Sequence, residues 1–230
     1  MIRQALAFTL EMADYTSQIT TPAQPSIGSP GEVYDRLFFS QTLSNIGNYA
    51  KRLTSVLGTL FGPRGGKYLN TPYGAFQDTT TQTAAANTAT ALKFNTTDFS
   101  NGVVVESTTK LRVSQGGIYN LQFSVQLQNI DTQLHDVSIW LRQDAAGAGT
   151  DIVGSTGLVS VPNSHGGVNG HTIVGWNYFV TLNANDFVEI WWSTESTNVT
   201  IETYAAGTSP TRPSTASAVA TLSFVSNLSV

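Results

Sequence analysis

The sequence predicts a mainly β protein, an antiparallel sandwich or jelly roll of about ten strands, preceded by an extended N-terminal arm and one α-helix. Two observations carry this. From about Tyr73 to the C-terminus, short runs rich in β-branched and aromatic residues follow one another. Turn signals such as Asn101-Gly102, Gly116-Gly117 and Asn185-Asp186 separate several of them, and no helical apolar period intervenes. Strand after strand with no crossover helix is the pattern of an antiparallel sandwich. Between about Gly31 and Phe61, by contrast, the apolar period is helical. The resulting division is 1–30 extended arm, 31–62 amphipathic helix, 63–72 linker and 73–230 jelly-roll domain.

In the arm, Leu6, Phe8, Leu10 and Met12 alternate as a strand does, and "TTPAQPSIGSPG" then reads as an extended tether with three prolines. A lone strand on a tether leaves its backbone groups unpaired, so it suits addition to another chain's sheet edge. In the helix, Phe39, Leu43, Ile46, Ala50, Leu53, Leu57 and Leu60 recur at alternating steps of four and three, a heptad-like seam. Glu32 and Asp35 are expected in the first turns, with Lys51 and Arg52 further along, the order that the helix dipole favours. Gly62-Pro63 supplies a stop. The flanking positions Gly47, Tyr49, Thr54, Val56 and Phe61 are uncharged, and interior Gly47 and Gly58 each cost about 1 kcal/mol relative to alanine. Such a helix is held by association, either around a symmetry axis or flat on a partner. "GPRGGKYLNTPYG" follows as a linker.

The expected strands are Tyr73 to Gln77, Thr90 to Phe94, Val103 to Glu106, Lys110 to Ser114, Ile118 to Gln128 and Val137 to Gln143. Gly157 to Val161, Thr172 to Leu182, Phe187 to Ser193, Val199 to Tyr204 and Val219 to Val225 complete them. Within "GIYNLQFSVQLQ", odd positions from Tyr119 to Leu127 are apolar and even ones are Asn, Gln or Ser. A strand that turns amides and no charge away from its core invites an explanation.

Composition points the same way. The chain has 230 residues, 40% hydrophobic, and only 11% are charged, against roughly 25% in ordinary soluble domains. A surface so poor in charge suits outer faces covered by copies or partners. A formal net charge of −4 argues against electrostatic binding to nucleic acid or an anionic membrane. No cysteine is present, which excludes disulfides and thiolate metal sites. No apolar run approaches the roughly 18 residues of a membrane span, and acidic residues interrupt the short apolar start, unlike a signal peptide. Synthesis in a reducing cytoplasm is the expectation.

Together "GIYNLQFSVQLQ", "DVSIWLRQ", "GWNYFVTLNANDFVEIWWS" and the closing "AVATLSFVS" resemble the trimeric jelly roll of the complement-q globular head and tumour-necrosis-factor type. The Thr/Asn/Ser-rich idiom of "TTTQTAAANTATALKFNTT" and "SPTRPSTASAVATLSFVS" is similar to jelly-roll domains in structural proteins of tailed bacteriophages, notably cyanobacterial ones. The resemblance covers about residues 73–230, and the collagen-like stalk and cysteines of the animal relatives are absent. It implies three subunits packed around an axis through a sheet face. With Val137, Ile139 and Leu141 in the core, Ser138, Trp140 and Arg142 face outward; with Val188, Ile190 and Trp192 inward, Phe187, Glu189 and Trp191 face the other way. Trp140, Phe187 and Trp191 are therefore expected at a subunit contact, with Asn120, Gln122 and Gln126 at or beside the axial interface, where amides pair without desolvating charge.

Residues for catalysis or for a cofactor are not found. His135, His165 and His171 form no HExxH or similar spacing, "VGSTG" is out of register for a nucleophile elbow, and "GPRGGK" lacks a phosphate-loop ending. Asp131, Asp136, Asp144 and Asp151 are scattered, and Glu189, Glu195 and Glu202 have no distinguishing context. No enzyme, cofactor or metal site is expected. The resemblance implies a virion structural protein: a homotrimeric capsid decoration or cement protein, attached to the major capsid or other virion proteins through residues 1–70. Its anchoring residues would be Phe39, Leu43, Ile46, Leu53, Leu57 and Leu60 of the helix and Leu6, Phe8 and Leu10 of the arm. The alternative is a tail fibre or adhesion knob that binds a host surface glycan, with Trp176, Tyr178 and the "NSHGGVNGH" loop stacking on sugar. A polysaccharide depolymerase is a third reading.

Overall fold

The computed structural model describes residues 22–29, 31, 33, 35–61, 71–144 and 149–227. The chain divides into two units, Met1–Tyr68 and Leu69–Val230. In the first, helix α1 spans Arg36–Phe61. Asp35 lies just before the first turn, not within it: its carboxylate accepts the Leu37 N–H at 2.8 Å and caps the helix. Glu32 and Gly62-Pro63 lie outside the described residues.

In the second unit sixteen strands run in chain order: β1 Tyr73–Asp78, β2 Gln82–Thr83, β3 Thr90–Ala91, β4 Thr96–Asn101, β5 Val103–Glu106, β6 Lys110–Val113, β7 Gly117–Asn129 and β8 His135–Gln143. Then come β9 Thr150–Asp151, β10 Gly157–Val161, β11 Gly170–Leu182, β12 Phe187–Thr194, β13 Val199–Ile201, β14 Gly207–Thr208, β15 Thr211–Arg212 and β16 Ala218–Ser226. Ten have four residues or more. One layer runs β4-β1-β16-β7-β11, with β13 and β2 extending it where β16 leaves β7; the other runs β5-β6-β12-β8-β10. The pairs β1–β16, β6–β12, β7–β11 and β8–β10 nest inside one another, first with last inward. That nesting is a long hairpin rolled into a jelly roll.

Alternation decides which side of each strand enters the core. Tyr119, Leu121, Phe123, Val125 and Leu127 of β7 pack against Val137, Ile139 and Leu141 of β8 and Val188, Ile190 and Trp192 of β12, as period-two patterning requires. The strand expected over Thr90 to Phe94 pairs only at Thr90–Ala91, because Leu92 and Phe94 then turn into the core. Past Ile201 the strand expected to reach Tyr204 leaves the ladder; Glu202 N–H still reaches the Gln126 carbonyl, at 2.8 Å. Strand β4 carries only Phe99 as a large apolar residue and lies at the layer's edge, so its sequence gives little strand signal.

One close approach fixes a glycine. A Cβ on Gly170, at the start of β11, would lie 1.7 Å from the Pro162 carbonyl oxygen. Gly170→Ala should therefore lower unfolding free energy by about 1–3 kcal/mol, read from the midpoint of urea denaturation at unchanged slope.

Candidate functional site

Paired residues on neighbouring strands point to the same side of a sheet. On the outer face of the first layer, Asn120, Gln122, Ser124 and Gln126 of β7 thus lie beside Phe179, Asn177, Gly175 and Ile173 of β11 and, along the other edge, beside Ser223, Thr221 and Val219 of β16. Tyr73, Ala75 and Gln77 of β1 continue the face. None of the outward positions of β1, β16, β7 and β11 is Asp, Glu, Lys or Arg. Apolar groups stand open on it: Ile173 is 71% and Phe179 66% exposed, and Val219 and Val225 are exposed as well. Asn120 Nδ2 donates to Asn177 Oδ1 at 2.7 Å, an amide pair between adjacent strands. Where Gly175 contributes no side chain, a shallow depression of about 490 Å³ opens between Gln122, Ser124, Asn177, Val219 and Thr221.

Of the six residues expected at the subunit contact, Asn120, Gln122 and Gln126 lie on this face and Trp140, Phe187 and Trp191 do not. The three rings are outward residues of β8 and β12, in the other layer, so the set falls on opposite sides of the sandwich. Outward parity alone cannot tell one outer face from the other. Side chains of the same chain cover Phe187 and part of Trp140 and Trp191, which stay half-buried. Lys110 and Arg112 stand 4.3 and 5.4 Å over the Phe187 ring, which is 3% exposed. Arg142 stacks 4.0 Å over Trp191 and donates to Asp151 at 2.8 Å, and Asp151 also accepts the Trp140 indole N–H at 3.0 Å. Trp191 donates to Glu189 at 3.0 Å. Cation–π contacts of this kind hold rings under charged tips that remain wet.

The aromatic residues of the glycan reading are likewise placed by packing. Trp176 meets Phe123 edge-on at 5.6 Å and fills the space over Gly157, where a Cβ would lie 2.0 Å from its ring. Tyr178 packs on the core and donates to the Ser155 carbonyl at 3.3 Å. His165 closes a tight turn with Val168. His171 Nδ1 meets the Tyr204 hydroxyl at 2.9 Å, and that hydroxyl also reaches Glu202 at 2.8 Å. Desolvation, with Glu202 beside it, pushes the Tyr204 phenol up to about 12. Among the described residues no three His, Cys, Asp or Glu converge to hold a metal, and no helix is long and apolar enough to cross a membrane. On α1, Phe39, Leu43, Ile46 and Leu57 are exposed and Leu53 is half-buried. Leu6, Phe8, Leu10 and the Leu60 side chain lie outside the described residues.

Two solved structures are similar in fold. The globular domain of zebrafish complement 1qA matches at TM-score 0.41 with 14% identity, over 68% of this chain and 98% of its own. An Eiger TNF from S. frugiperda matches at 0.48 with 10% identity, over 70% and 96%. No protein-family model matches the chain, and no curated protein matches it.

The loop before β8 offers a direct electrostatic test. His135 Nε2 lies 2.9 Å from Asp131 Oδ2, and Asn198 donates to the same oxygen at 3.0 Å. The His135 bond first, then Asn198, holds the Asp131 carboxyl down at about 2. A depressed carboxylate stabilises the fold above its unfolded value of about 3.9, and that stabilisation is lost as pH falls toward about 2. A carboxyl NMR titration should show Asp131 titrating near 2, and His135→Ala should return its midpoint toward about 4.

Proposed function

We propose that this protein is a structural component of a bacteriophage virion, a capsid decoration or cement protein. Its jelly-roll heads associate as a homotrimer through the uncharged outer face of β1, β16, β7 and β11, while the N-terminal unit attaches the head to other virion proteins. The observation that carries self-association is that face: four adjacent strands whose outward positions bear no Asp, Glu, Lys or Arg, with open Ile173, Phe179, Val219 and Val225. Exposed apolar surface of this extent on a sheet marks an interaction site, and a closed three-fold contact buries it once per copy. Burying one Phe179 ring contributes roughly 1.5–3 kcal/mol. The amides of Asn120, Gln122 and Asn177 supply directional pairing without bringing charges into a dry contact.

The virion role is favoured by the two-part chain: a head with an open face of uncharged outward positions, joined to a helix whose apolar side is open and to an arm of alternating apolar residues. Cement acts mechanically, since each attached copy adds buried area across joints in a shell. The adhesion alternative is less supported, because Trp176 and Tyr178 are packed on the core of their own sandwich.

Two measurements test this. Light scattering at micromolar concentration should give the mass of three chains. Thr221→Lys or Phe179→Asp should give folded monomers, since an unpaired charge in the contact costs about 3–5 kcal/mol, whereas Trp140→Ala should leave the assembly mass unchanged. Purified protein should rebind stripped phage shells, and a chain lacking residues 1–70 should remain trimeric and fail to rebind. Binding to host polysaccharide through the head alone would overturn the cement reading.

A further inference from the structure

We infer that α1 is not a surface anchor but one strand of a parallel three-stranded coiled coil, its seam covered by the same helix of two sister chains; this rests on the trimeric reading of the head. The spacing comes first. Phe39, Leu43, Ile46, Ala50, Leu53, Leu57 and Leu60 hold the four-three alternation across six steps without drift. A straight helix drifts about 20° per heptad against such a repeat. Over the three heptads from Phe39 to Leu60 that drift sums to about 60°, which turns the seam progressively away from a flat partner, while a supercoiling helix follows it.

What already lies on the helix comes next. The extended residues 23–26 share a cavity with Asn45, Asn48, Tyr49 and Arg52, and a Cβ on Gly28 would meet the Phe38 ring at 3.7 Å. Asn45, Asn48 and Arg52 lie well around the cylinder from the seam, and Tyr49 lies on its flank. The chain's own arm segment thus runs along the polar flank and leaves the seam open, with Phe39, Leu43 and Ile46 between 44% and 55% exposed.

Residue choice sets the number of strands. Reading Phe39, Ile46, Leu53 and Leu60 as d places Leu43, Ala50 and Leu57 at a. No a position carries the β-branched residue that favours two strands, and the layer of Leu43 at a with Ile46 at d is the combination that shifts preference toward three or four. On the side of the seam away from the arm segment, the uncharged flanks Gly47 and Thr54 widen the stripe in the same sense, because a third helix covers flank as well as seam. Heads joined in threes hold three helices, in the same chain direction, at high effective concentration. Attachment to the particle then falls to the residues before the helix.

The native chain has no cysteine, so single cysteines report proximity cleanly. In the full-length trimer, Ile46→Cys should oxidise to disulfide-linked dimers involving about two-thirds of the chains, one of every three being left over. Gln41→Cys, on the outer side of the helix, should remain almost wholly monomeric on a denaturing gel. A trimeric Ile46→Cys protein that cross-links no better than Gln41→Cys would overturn the coiled coil and leave the head trimer standing. A monomeric full-length protein would overturn both.

Discussion

The strand β7 fixes most of what this domain presents to its surroundings. All thirteen of its residues pair with β11 on one edge, and β16 and then β13 take up the other. With both edges filled, the strand cannot slide, and its parity is set: Tyr119 through Leu127 at odd positions enter the core, while Asn120, Gln122, Ser124 and Gln126 point out. A slip of one residue would exchange the two sets, burying four polar side chains and exposing five apolar ones. The neighbours inherit the same parity through their registers. The character of the whole outer face follows from one alternating segment.

The two outer faces of the sandwich differ sharply in charge. Over β8, β12 and β6 stand Arg142, Asp151, Glu189, Arg112 and Lys110, each engaged with a ring or a carboxylate. The outward positions of β1, β16, β7 and β11 carry amides, hydroxyls and open apolar groups instead, with charge at their margins in Asp98, which accepts from Gln77 at 2.6 Å, and Arg212, which lines a cavity with Gln126 and Ile173. In a chain with only 11% charged residues, charge is concentrated where rings meet water and sparse over the outward positions of β1, β16, β7 and β11. An ion buried between copies would need a partner and full hydrogen bonding to break even, whereas an amide facing solvent in the free chain and another amide in the assembly loses little in either state.

Much of the fold was legible in the sequence because alternation is a local property. Strands β5 and β10 have the bounds expected, and β7, β8, β11, β12 and β16 differ from expectation by a residue or two at their ends. Strand β4 was not legible, since Thr96, Thr97, Asp98 and Ser100 read as loop and only edge pairing to β1 makes them a strand. The face of the candidate site was half legible. Amides on β7 marked it, while Trp140 and Trp191 lie on the other layer, because the outward parity of a ring does not say which sheet carries it. The signal for Ile173 and Phe179 was present in β11: Trp176 and Tyr178 share parity with Val174, Val180 and Leu182, which assigns them inward and turns Ile173 and Phe179 out. Register across strands, set by the jelly-roll nesting, is what places those two beside Asn120 and Gln126.

The helix and the head pose the same physical problem at different scales. Each exposes apolar surface that its own unit does not cover, and each is weak alone. Gly47 and Gly58 together cost α1 roughly 2 kcal/mol of helix propensity, and a Cβ at either would meet nothing within 4 Å in the single chain. A helix so handicapped gains little from local preference and depends on burial of its seam. In the proposed trimer it would see its partners at an effective concentration far above that in solution, so the loss in propensity would be recovered by packing. The converse also holds, because helices already held together lower the cost of bringing the heads' uncharged faces into contact. In the proposed trimer, assembly of either unit would therefore stabilise the other through the chain that joins them.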